Sequence, residues 1–523
     1  MISSLAHVLR LARANYVFAR EGVFGIVDPT PLPSPARAAL RLARLIERPS
    51  SASHAGRLSA ALTRLGPTYV KLGQFLATRP DIVGAALARD LESLQDRMPP
   101  FPQAQAEAVI ERAFGKKLSE VFNTFGPPVA AASIAQVHRA EVMTAEGIKP
   151  VAVKVLRPGV ERRFKSDQDV FAFAARTAEA WSAEAQRLRL IETAETLRRS
   201  VVLEMDFRLE AAALSEMAEN TKEDADFRVP SVDWERTAKD VLTLEWVEGT
   251  PLNDHDALRA EGFDLPELGR KVIQSFLRHA LRDGFFHADM HPGNLFVDDE
   301  GRIVAVDFGI MGRLGPKERR FLAEILYGFI TRDYLRTAEV HFEAGYVPSH
   351  HSVESFAQAI RAIGEPIHNR TAEEISMARL LMLLFEVTGL FDMRTRPELL
   401  LLQKTMVVVE GVGRSLDPKL DMWSTAEPVV REWIERHLGP AGRLEDAAGS
   451  AMETGKFLLG VPSLLSRGAV LMEQLDTITR NGLVLAPETV AAIGRAEARR
   501  NRWTAVALWV IAALLAYIVY MIL

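Results

Sequence analysis

The segment from residue 287 to residue 309 constrains the fold of this chain more than any other. It places His287, Asp289 and Asn294 in one short loop, and Asp307 follows further along the chain. Between Asn294 and Asp307, two apolar runs flank turn-forming residues, which predicts a tight β-hairpin. The segment therefore predicts a loop, a hairpin and a second turn that bring these polar side chains close together.

These side chains fit the needs of phosphoryl transfer. That reaction requires Mg²⁺ held by hard oxygen ligands and an acceptor that is oriented in line with the γ-phosphate. A loop of the form H-x-D-x-x-x-x-N followed by D-F-G supplies such groups. Asp289 is the candidate for orienting the acceptor, and Asn294 and Asp307 are the candidates for holding Mg²⁺.

Two other interpretations of the segment remain open. His287, Asp289 and His291 alternate along the chain, so on a strand they could ligate Zn²⁺. The segment could also be a solvated loop whose residues match the pattern by chance. Both alternatives leave the ordered combination of the asparagine and the D-F-G triplet unexplained, so the sequence favours phosphoryl transfer.

Length and composition limit the possible domain organisation, partners and chemistry of the chain. The chain has 523 residues, of which 25% are charged and 48% are hydrophobic, and it exceeds the size of one ordinary globular core. Its net charge of −5 gives no sign of a nucleic acid partner. The chain contains no cysteine, which excludes disulfides, thiolate metal sites and thiol catalysis.

A second segment supplies candidate contacts for a nucleotide. Residues 120 to 157 predict a β-hairpin with a loop of small residues and then a strand that carries Lys154. Small residues let backbone N–H groups approach phosphates, and a lysine on this strand would meet the α- and β-phosphates. The alternative is a strand lysine that only reaches solvent. The candidate cofactor-binding residues of the loop are Ala130, Ala131, Ala132, Ser133 and Ile134.

Residues 160 to 220 predict charged helices that could supply a partner for the strand lysine. They contain Glu204 and Glu210, and either carboxylate could pair with Lys154. On a charged helix, however, a carboxylate at the surface is the more usual case. The residues alone therefore leave the choice between the two glutamates open.

The next two elements lead from the nucleotide to the catalytic loop. Val241 to Gly249 predicts a strand that ends in a turn, and its backbone near Glu245 and Val247 could hydrogen-bond a purine. Residues 264 to 283 predict a helix that leads into the loop beginning at residue 287. We therefore count Glu245 and Val247 among the candidate cofactor-binding residues.

Little chain separates the D-F-G triplet from the next helix. Only Ile310 to Pro316 precedes a helix that is predicted to start at Lys317. A protein kinase places a longer activation segment and an A-P-E motif here, and that segment is the platform for a peptide substrate. This chain has no room for such a platform, and residues 317 to 480 predict a helical array.

The N-terminal region predicts amphipathic helices. Residues 1 to 20 combine three arginines with apolar residues and no acid, which is typical of a transit peptide, a membrane-surface helix or a helix packed on the body. The last two interpretations are favoured. Residues 64 to 81 predict a helix on which Lys71 and Gln74 share one face.

The segment from Thr504 to Leu523 carries no charged side chain. As a helix with a rise of about 1.5 Å per residue it would span about 30 Å, the thickness of the hydrocarbon core of a membrane. Four arginines precede it, and the positive-inside rule then places the body of the chain in the cytoplasm. The sequence therefore predicts a single C-terminal membrane span, with a buried core helix as the alternative.

The motifs occur in a fixed order that resembles one family. They are K-x-G-Q at Lys71 to Gln74, the alanine loop, V-A-V-K at Lys154, E-x-D at Glu204 to Asp206, the H-x-D loop and D-F-G. Together they resemble the UbiB family of atypical kinases, which support ubiquinone biosynthesis. The resemblance covers roughly residues 1 to 420 and the membrane anchor, and the C-terminal position of the anchor is typical of bacterial members.

The resemblance implies an α+β, protein-kinase-like fold of two lobes, rich in helices, with ATP and Mg²⁺ bound between the lobes. It implies that the helix of Lys71 and Gln74 covers the site where a protein substrate would sit, so both join Asp289 and Lys154 as catalytic candidates. It also implies ATPase-type chemistry in place of ordinary protein phosphorylation.

Position within the family pattern also assigns the acidic residues. Glu210 corresponds to the partner of Lys154, and it is therefore a candidate cofactor-binding residue. Glu204 and Asp206 correspond to partners of the helix that carries Lys71. These assignments follow from the resemblance and not from the spacing of the residues.

On this basis the chain divides into four parts. Residues 1–115 are the N-terminal helical extension and 116–260 the N-lobe with a helical insert. Residues 261–480 are the helical C-lobe, and 481–523 a basic juxtamembrane segment with the membrane helix. The expected location is the bacterial inner membrane, although bacterial relatives often end in two spans and this chain has length for one. The expected partners are ATP, membrane lipid, quinone precursors and the enzymes of ubiquinone biosynthesis.

Two other functions compete with this one. A small-molecule phosphotransferase of the aminoglycoside or choline kinase type shares the H-x-D-x-x-x-x-N loop, but it has no counterpart to the helix of Lys71 and Gln74. A non-catalytic scaffold could instead bind lipid precursors and present them to biosynthetic enzymes under the control of a nucleotide.

Overall fold

The structure is a computed structural model, and it describes most of the chain up to residue 439. The described ranges are residues 2–26, 34–48, 54–77, 98–181, 188–366 and 397–439, with the positions 83, 87, 90, 91, 186, 387 and 389–393 between them. The chain divides into two compact units, Met1–Arg436 and His437–Leu523. The candidate site lies entirely in the first unit.

Amphipathic helices begin the chain, as the sequence predicts. Their apolar residues recur every three or four positions and so fall on one face. Leu62, Tyr69 and Val70 are buried in their shared core, and the ring of Tyr69 packs edge-on against Phe171 at 5.2 Å. Ala14 of the first helix is also buried in this core, which agrees with a helix packed on the body. The helices are α1 (Ile2–Arg20), α2 (Ser34–Leu45), α3 (His54–Leu65) and α4 (Pro67–Ala77).

The predicted nucleotide-binding strand lies in a four-stranded antiparallel sheet. Val153 and Val155 are fully buried on one face of this strand. Because side chains alternate between the two faces of a strand, Lys154 points to the opposite face. Lys154 pairs with Val137 and Leu242 on the neighbouring strands. In chain order the strands are β1 (Thr124–Ala131), β2 (Ala135–Thr144), β3 (Gly147–Leu156), β4 (Phe227–Arg228) and β5 (Val241–Glu245), and the sheet order is β1-β2-β3-β5.

Helices fill the predicted helical stretch between β3 and β4. The last of them buries the face that carries Phe207, Ala211 and Leu214, and Glu210 lies on the same face. The carboxylate of Glu210 is therefore not a surface group. These helices follow α5 (Gln103–Phe114) and α6 (Leu118–Val121), and they are α7 (Val160–Trp181), α8 (Leu190–Glu204) and α9 (Phe207–Asn220).

The catalytic segment folds as predicted. Leu295 pairs with Ala305 and Val297 with Ile303, so the two apolar runs form an antiparallel hairpin. After the D-F-G triplet, Met311 pairs with His287 and the chain returns along the strand that precedes the loop. The next helix begins at Pro316, one residue before the predicted start at Lys317, so the segment after the D-F-G triplet is as short as predicted. The strands are β6 (Thr250–Pro251), β7 (Phe285–His287), β8 (Leu295–Val297), β9 (Ile303–Ala305) and β10 (Met311–Arg313).

Helices make up the rest of the described chain. A Cβ on Gly269 would lie 3.2 Å from the carbonyl oxygen of Gly413, so two of these helices approach each other closely through glycines. The helices are α10 (His255–Ala260), α11 (Leu265–Arg278), α12 (Pro316–Thr331), α13 (Tyr334–Glu343), α14 (Val353–Gly364), α15 (Pro397–Leu416) and α16 (Met422–Leu438). The architecture is the helix-rich, kinase-like α+β fold that the sequence predicts.

The prediction of an inner-membrane protein with a C-terminal span needs correction. In the part of the chain that the structure describes, no helix is both long enough and apolar enough to cross a membrane. The long helix α15 carries Lys404, Glu410 and Arg414, and each such charge costs about 2.5–3.5 kcal/mol at the centre of a membrane helix. The segment from Thr504 to Leu523, on which the prediction rested, lies outside the described residues.

Candidate functional site

Lys154 joins two acidic side chains that are distant in the sequence. Its Nζ donates to Oε1 and Oε2 of Glu210 at 2.8 and 3.1 Å. It also donates to Oδ1 of Asp307 at 2.9 Å. The strand β3 aims the lysine away from the buried valines, and α9 presents Glu210 from its buried face. The structure thus brings together the strand lysine, the glutamate assigned to it by resemblance, and the aspartate of the D-F-G triplet.

Burial and the neighbouring charges together set the protonation states of Lys154, Asp307 and Glu210. Burial opposes the charged form of Lys154, but the negative charges of Asp307 and Glu210 raise its pKa above the usual value. Partial loss of hydration also opposes the ionised form of Asp307, but the charge and hydrogen bond of Lys154 and the charge of Lys71 lower its pKa to about 2. For Glu210, burial prevails over the attraction of Lys154 and raises the pKa. Lys154 is therefore cationic and Asp307 anionic at neutral pH.

His287 fixes the shape of the catalytic loop, which we define as residues 287–294. Its side chain is buried, and its Nδ1 accepts the backbone N–H of Asp289 at 3.0 Å. Since Nδ1 is an acceptor, Nε2 carries the proton and donates to the carbonyl oxygen of Val306 at 3.3 Å. Burial lowers the pKa of His287, which keeps the ring neutral. His287 therefore ties the backbone of Asp289 to the residue that precedes Asp307.

Asn294 closes the same loop. Its Nδ2 donates to the carbonyl oxygen of Asp289 at 3.1 Å, and its own carbonyl accepts the N–H of Val306 at 2.9 Å. With Nδ2 committed to the loop, the amide oxygen of Asn294 is the atom that can ligate a cation. The loop thus holds the two predicted metal-site residues at the ends of one hydrogen-bonded hairpin.

The D-F-G triplet forms a tight turn that exposes its carboxylate. Asp307 has a φ of 62°, in the left-handed region that aspartate tolerates better than most residues. The ring of Phe308 is buried and packs edge-on against His287 at 4.9 Å. A Cβ at Gly309 would lie 3.3 Å from Oδ1 of Asp307, so a side chain there would crowd the carboxylate. Asp307 is 47% exposed, which leaves its carboxylate accessible to a ligand.

The alanine loop, residues 130–134, closes the hairpin between β1 and β2. The N–H of Ala132 donates to the carbonyl oxygen of Ala135 at 2.8 Å. The described non-glycine residues with positive φ do not include Ala130, Ala131 or Ala132, so the loop keeps ordinary backbone angles. A loop of this kind is stiffer than a glycine-rich one because the Cβ atoms restrict the backbone.

Arg157 anchors the alanine loop through hydrogen bonds. No sequence motif described above includes it. Its Nη2 donates to the carbonyl oxygens of Ala132 and Pro99, each at 3.1 Å, and its Nε donates to that of Ser133 at 3.2 Å. Its backbone N–H donates to the carbonyl of Ile134 at 2.7 Å. Arg157 follows the last residue of β3 in an R-P-G turn, and periodicity gives no signal for contacts of this kind.

The strand β5 ends at the predicted hinge. The carboxylate of Glu245 accepts from Arg228 at 2.9 Å and from the N–H of Ser231 at 3.1 Å. Its side chain is therefore committed to the protein. The backbone N–H groups of Glu245 and Trp246 also donate within the protein, to the carbonyls of Ser231 at 2.9 Å and Pro150 at 3.3 Å. Val247 follows the strand and is half-buried.

The helix α4 carries Lys71 and Gln74 towards the same region. Lys71 is 10% exposed and forms an ion pair with Glu204, at the end of α8. Its charge reaches Asp307, as the lowered pKa of that residue reflects. Gln74 lies almost one turn further along α4 and is half-buried.

The contacts of Asp206 lie at the start of α9. It caps α9 by accepting the N–H of Arg208 at 3.2 Å. It also accepts from the guanidinium of Arg208 at 2.6 and 2.9 Å. Of the two acidic residues assigned to the Lys71 helix, Glu204 is the one whose carboxylate pairs with Lys71.

The donor set of the site fits a magnesium nucleotide. A carboxylate and an amide oxygen are hard ligands of the kind that Mg²⁺ prefers, and Asp307 and Asn294 supply them. The ammonium group of Lys154 lies next to the carboxylate of Asp307. The zinc interpretation is wrong, because both ring nitrogens of His287 are engaged by the backbone and Nδ1 of His291 accepts the N–H of Gly293 at 3.1 Å.

Two family models match this chain. The model of the ABC1 atypical kinase-like domain matches residues 93–341. The model of the UbiB helical domain matches residues 360–421. Together these matches include every residue of the candidate site except Lys71 and Gln74 on α4.

Individual relatives match over most of their length. A protein of Marinobacter nauticus named "Probable protein kinase UbiB" is 39% identical over 448 residues, which are 84% of this chain and 81% of that protein. A protein of Azotobacter vinelandii with the same name is 39% identical over 410 residues, 77% of this chain and 76% of that one. A solved structure of a Mycobacterium tuberculosis protein in complex with erythromycin is 24% identical, with a TM-score of 0.48, and covers 77% of this chain and 98% of its own. By its sequence matches, this chain belongs to the ABC1/UbiB family of atypical kinases.

Proposed function

We propose that this protein is an ATP- and Mg²⁺-dependent atypical kinase or ATPase that supports ubiquinone biosynthesis. The observation that carries the proposal is the contact of Lys154 with both Glu210 and Asp307. In protein kinases, a strand lysine paired with a helix glutamate holds the nucleotide phosphates, and the D-F-G aspartate beside it holds Mg²⁺. The support for a role in ubiquinone biosynthesis is the family resemblance.

Each residue has a defined task in this proposal. Lys154 would hold the α- and β-phosphates, and Asn294 and Asp307 would hold Mg²⁺. Asp289 would orient the attacking hydroxyl or water and accept its proton, while His287 keeps the backbone of Asp289 in place. When bound, Mg²⁺ would neutralise the charge that develops on the phosphate oxygens. The backbone from Glu245 to Val247 would contact the base.

The acceptor side of the site is restricted in two ways. The chain after the D-F-G triplet pairs directly with β7, so it offers no platform for a peptide. The helix α4 adds Lys71, whose charge acts on Asp307. Both features support a phosphotransferase or ATPase with restrained transfer to proteins, whose partners would be quinone precursors and the enzymes that process them.

The direct test is Asp307→Asn in the full-length chain. This change removes a ligand charge but keeps the shape of the side chain, so Mg²⁺-dependent ATP binding should be lost. Isothermal titration with MgATP, and with ATP in EDTA, measures the effect. Glu216→Gln, which changes an exposed carboxylate paired with Arg313, is the matched control. Unchanged MgATP affinity in Asp307→Asn would refute the assignment.

The cellular role needs a separate experiment. Quinones and their precursors would be profiled in a deletion strain that carries the wild-type chain or Asp289→Ala at equal protein level. Restored ubiquinone with the wild-type chain and accumulated precursors with Asp289→Ala are expected. Full complementation by Asp289→Ala would instead favour a nucleotide-gated scaffold. Phosphate transfer to a soluble amine or alcohol in a substrate screen would favour a small-molecule kinase.

A further inference from the structure

A second group of metal-ligating side chains lies outside the phosphoryl-transfer site. His350 and His351 occupy the turn before α14, and Asp392 comes from a segment 41 residues beyond His351. One ligand atom from each of the three lies within 4.8 Å of the other two. None of the three takes part in the contacts of Lys154, Asp289 or Asp307 described above.

The spacing of the ligand atoms suits a tetrahedral ion. Ligand atoms at about 2.0–2.2 Å from a tetrahedral Zn²⁺ lie about 3.3–3.6 Å from one another. The Nε2 of His351 lies 3.2 Å from Oδ2 of Asp392, and the Nε2 of His350 lies 3.6 Å from the same oxygen. Both imidazoles thus direct the same type of nitrogen towards one carboxylate.

An ordinary ion pair explains this arrangement less well. The rings of His350 and His351 lie side by side, with centroids 4.1 Å apart. The hydrogen bond between Nε2 of His351 and Asp392 at 3.2 Å accounts for one of the two imidazoles and leaves the position of His350 beside the same oxygen unexplained. A divalent cation is instead ligated by neutral imidazoles, so two adjacent rings and one carboxylate satisfy it together.

The protein holds the three ligands in place by packing. Phe391, next to Asp392, is buried and packs edge-on against Phe356 of α14 at 5.0 Å. The ring of His351 lies 5.2 Å from the ring of Phe391. The N–H of His351 donates to the carbonyl of Pro348 at 3.2 Å, which fixes the turn. Asp392 has a φ of 48°, and this left-handed conformation is maintained by the buried neighbour.

We propose that His350, His351 and Asp392 bind one divalent transition-metal ion, with Zn²⁺ as the ion whose ligand preferences the set matches best. Two imidazoles and a carboxylate fill three positions of a tetrahedron, and water or a group from outside fills the fourth. His350 is 65% exposed and Asp392 is 67% exposed, so the site opens to solvent and exchanges its ion readily. The ion fastens the segment of residues 389–393 to the start of α14.

Zinc titration of the full-length chain tests this proposal. The protein is treated with EDTA, returned to a buffer with excess Mg²⁺, and titrated with ZnCl₂ against a chromogenic chelator. We expect one saturable zinc per chain. His351→Ala and Asp392→Ala each remove a ligand and should weaken binding by at least about 100-fold, since even changes outside the ligand set cost 10–100-fold. His437→Ala removes an exposed histidine elsewhere and should leave the affinity unchanged.

Three further measurements show whether zinc binding depends on these residues. His350→Ala changes a mostly exposed side chain, so its loss of zinc affinity cannot be explained by unfolding. Asp307→Asn should retain the zinc affinity, because it alters only the phosphoryl-transfer site. Co²⁺ in place of Zn²⁺ should give the visible absorption of a tetrahedral complex, and the three ligand variants should lose it. Absence of saturable zinc binding, or equal affinity in wild type and His351→Ala, overturns the proposal.

Discussion

Lys71 and Glu204 form an ion pair although 133 residues separate them in the sequence. The pair joins α4 of the N-terminal extension to the end of α8, and Lys71 is 10% exposed within it. The charge of Lys71 also lowers the pKa of Asp307. The N-terminal extension is therefore coupled electrostatically to the proposed metal ligand.

Loss of this pair should loosen the restraint on phosphate transfer. We expect Lys71→Ala to increase the incorporation of label from radiolabelled ATP into the protein itself, because α4 would cover the acceptor side less firmly. A tenfold increase would correspond to about 1.4 kcal/mol of transition-state free energy. Lys239→Ala, which breaks the exposed pair of Lys239 with Glu161, is the control. Equal labelling of wild type and Lys71→Ala would show that α4 exerts no such restraint.

The alanine loop should set how the nucleotide is bound. Ala131→Gly and Ala132→Gly remove the Cβ atoms that restrict its backbone and should alter the preference between ATP and ADP or raise autophosphorylation. The same changes should impair the cellular role. Nucleotide affinities and label incorporation are the measurements, with Ala145→Gly in the exposed turn between β2 and β3 as the control. If neither quantity changes, the proposed restraint by the loop is wrong even though the fold stands.

Arg157 should stabilise the same alanine loop through its hydrogen bonds to the backbone. Arg157→Ala removes hydrogen bonds to the carbonyls of Pro99, Ala132 and Ser133. We expect the free energy of unfolding to fall by about 1.5–3 kcal/mol, the usual contribution of hydrogen bonds to a charged group. MgATP affinity should fall as well, because the loop loses its anchor.

Two variants separate anchoring from charge. Arg157→Lys keeps the cation but lacks the planar fork, so it should recover only part of the loss. Arg162→Ala, at an exposed position nearby, should behave as wild type. Urea unfolding and nucleotide titration would measure both quantities, and full activity and stability in Arg157→Ala would rule out an anchoring role.

Stability should decline in mild acid because of buried histidines. Burial lowers the pKa of His279 below 6.5 despite its hydrogen bond with Asp224, and burial lowers that of His341 in the same way. The unfolded chain then binds protons that the folded chain does not. The free energy of unfolding should therefore be greatest above pH ~6.5 and fall below it, by up to about 1.4 kcal/mol per pH unit for each histidine.

Urea unfolding at pH 7.5 and pH 5.5 measures this effect. His279→Gln cannot take up a proton, so the difference between the two pH values should shrink even if the variant is less stable overall. His437→Gln, which changes an exposed histidine, is the control. An unchanged pH difference in His279→Gln would mean that other groups cause the acid sensitivity.

Local patterns in the sequence determined the elements of the site. Alternating valines around Lys154 predicted its strand, and the turn residues between Asn294 and Asp307 predicted the hairpin that the structure contains. The short stretch between Gly309 and Pro316 predicted an early helix, and the structure begins that helix at Pro316. These features depend only on residues that are close together in the sequence, because strand alternation and turn chemistry are properties of short segments.

The tertiary structure alone decided which distant residues meet. The spacing of the residues left Glu204 and Glu210 open as partners of Lys154, and the fold places Glu210 against it on the buried face of α9, while Asp206 caps that helix. The fold also brought Arg157 against the alanine loop and the two histidines against Asp392. Such contacts depend on how whole helices and strands pack against one another. Periodicity within one segment fixes which face is buried, but it does not state which other segment that face will meet.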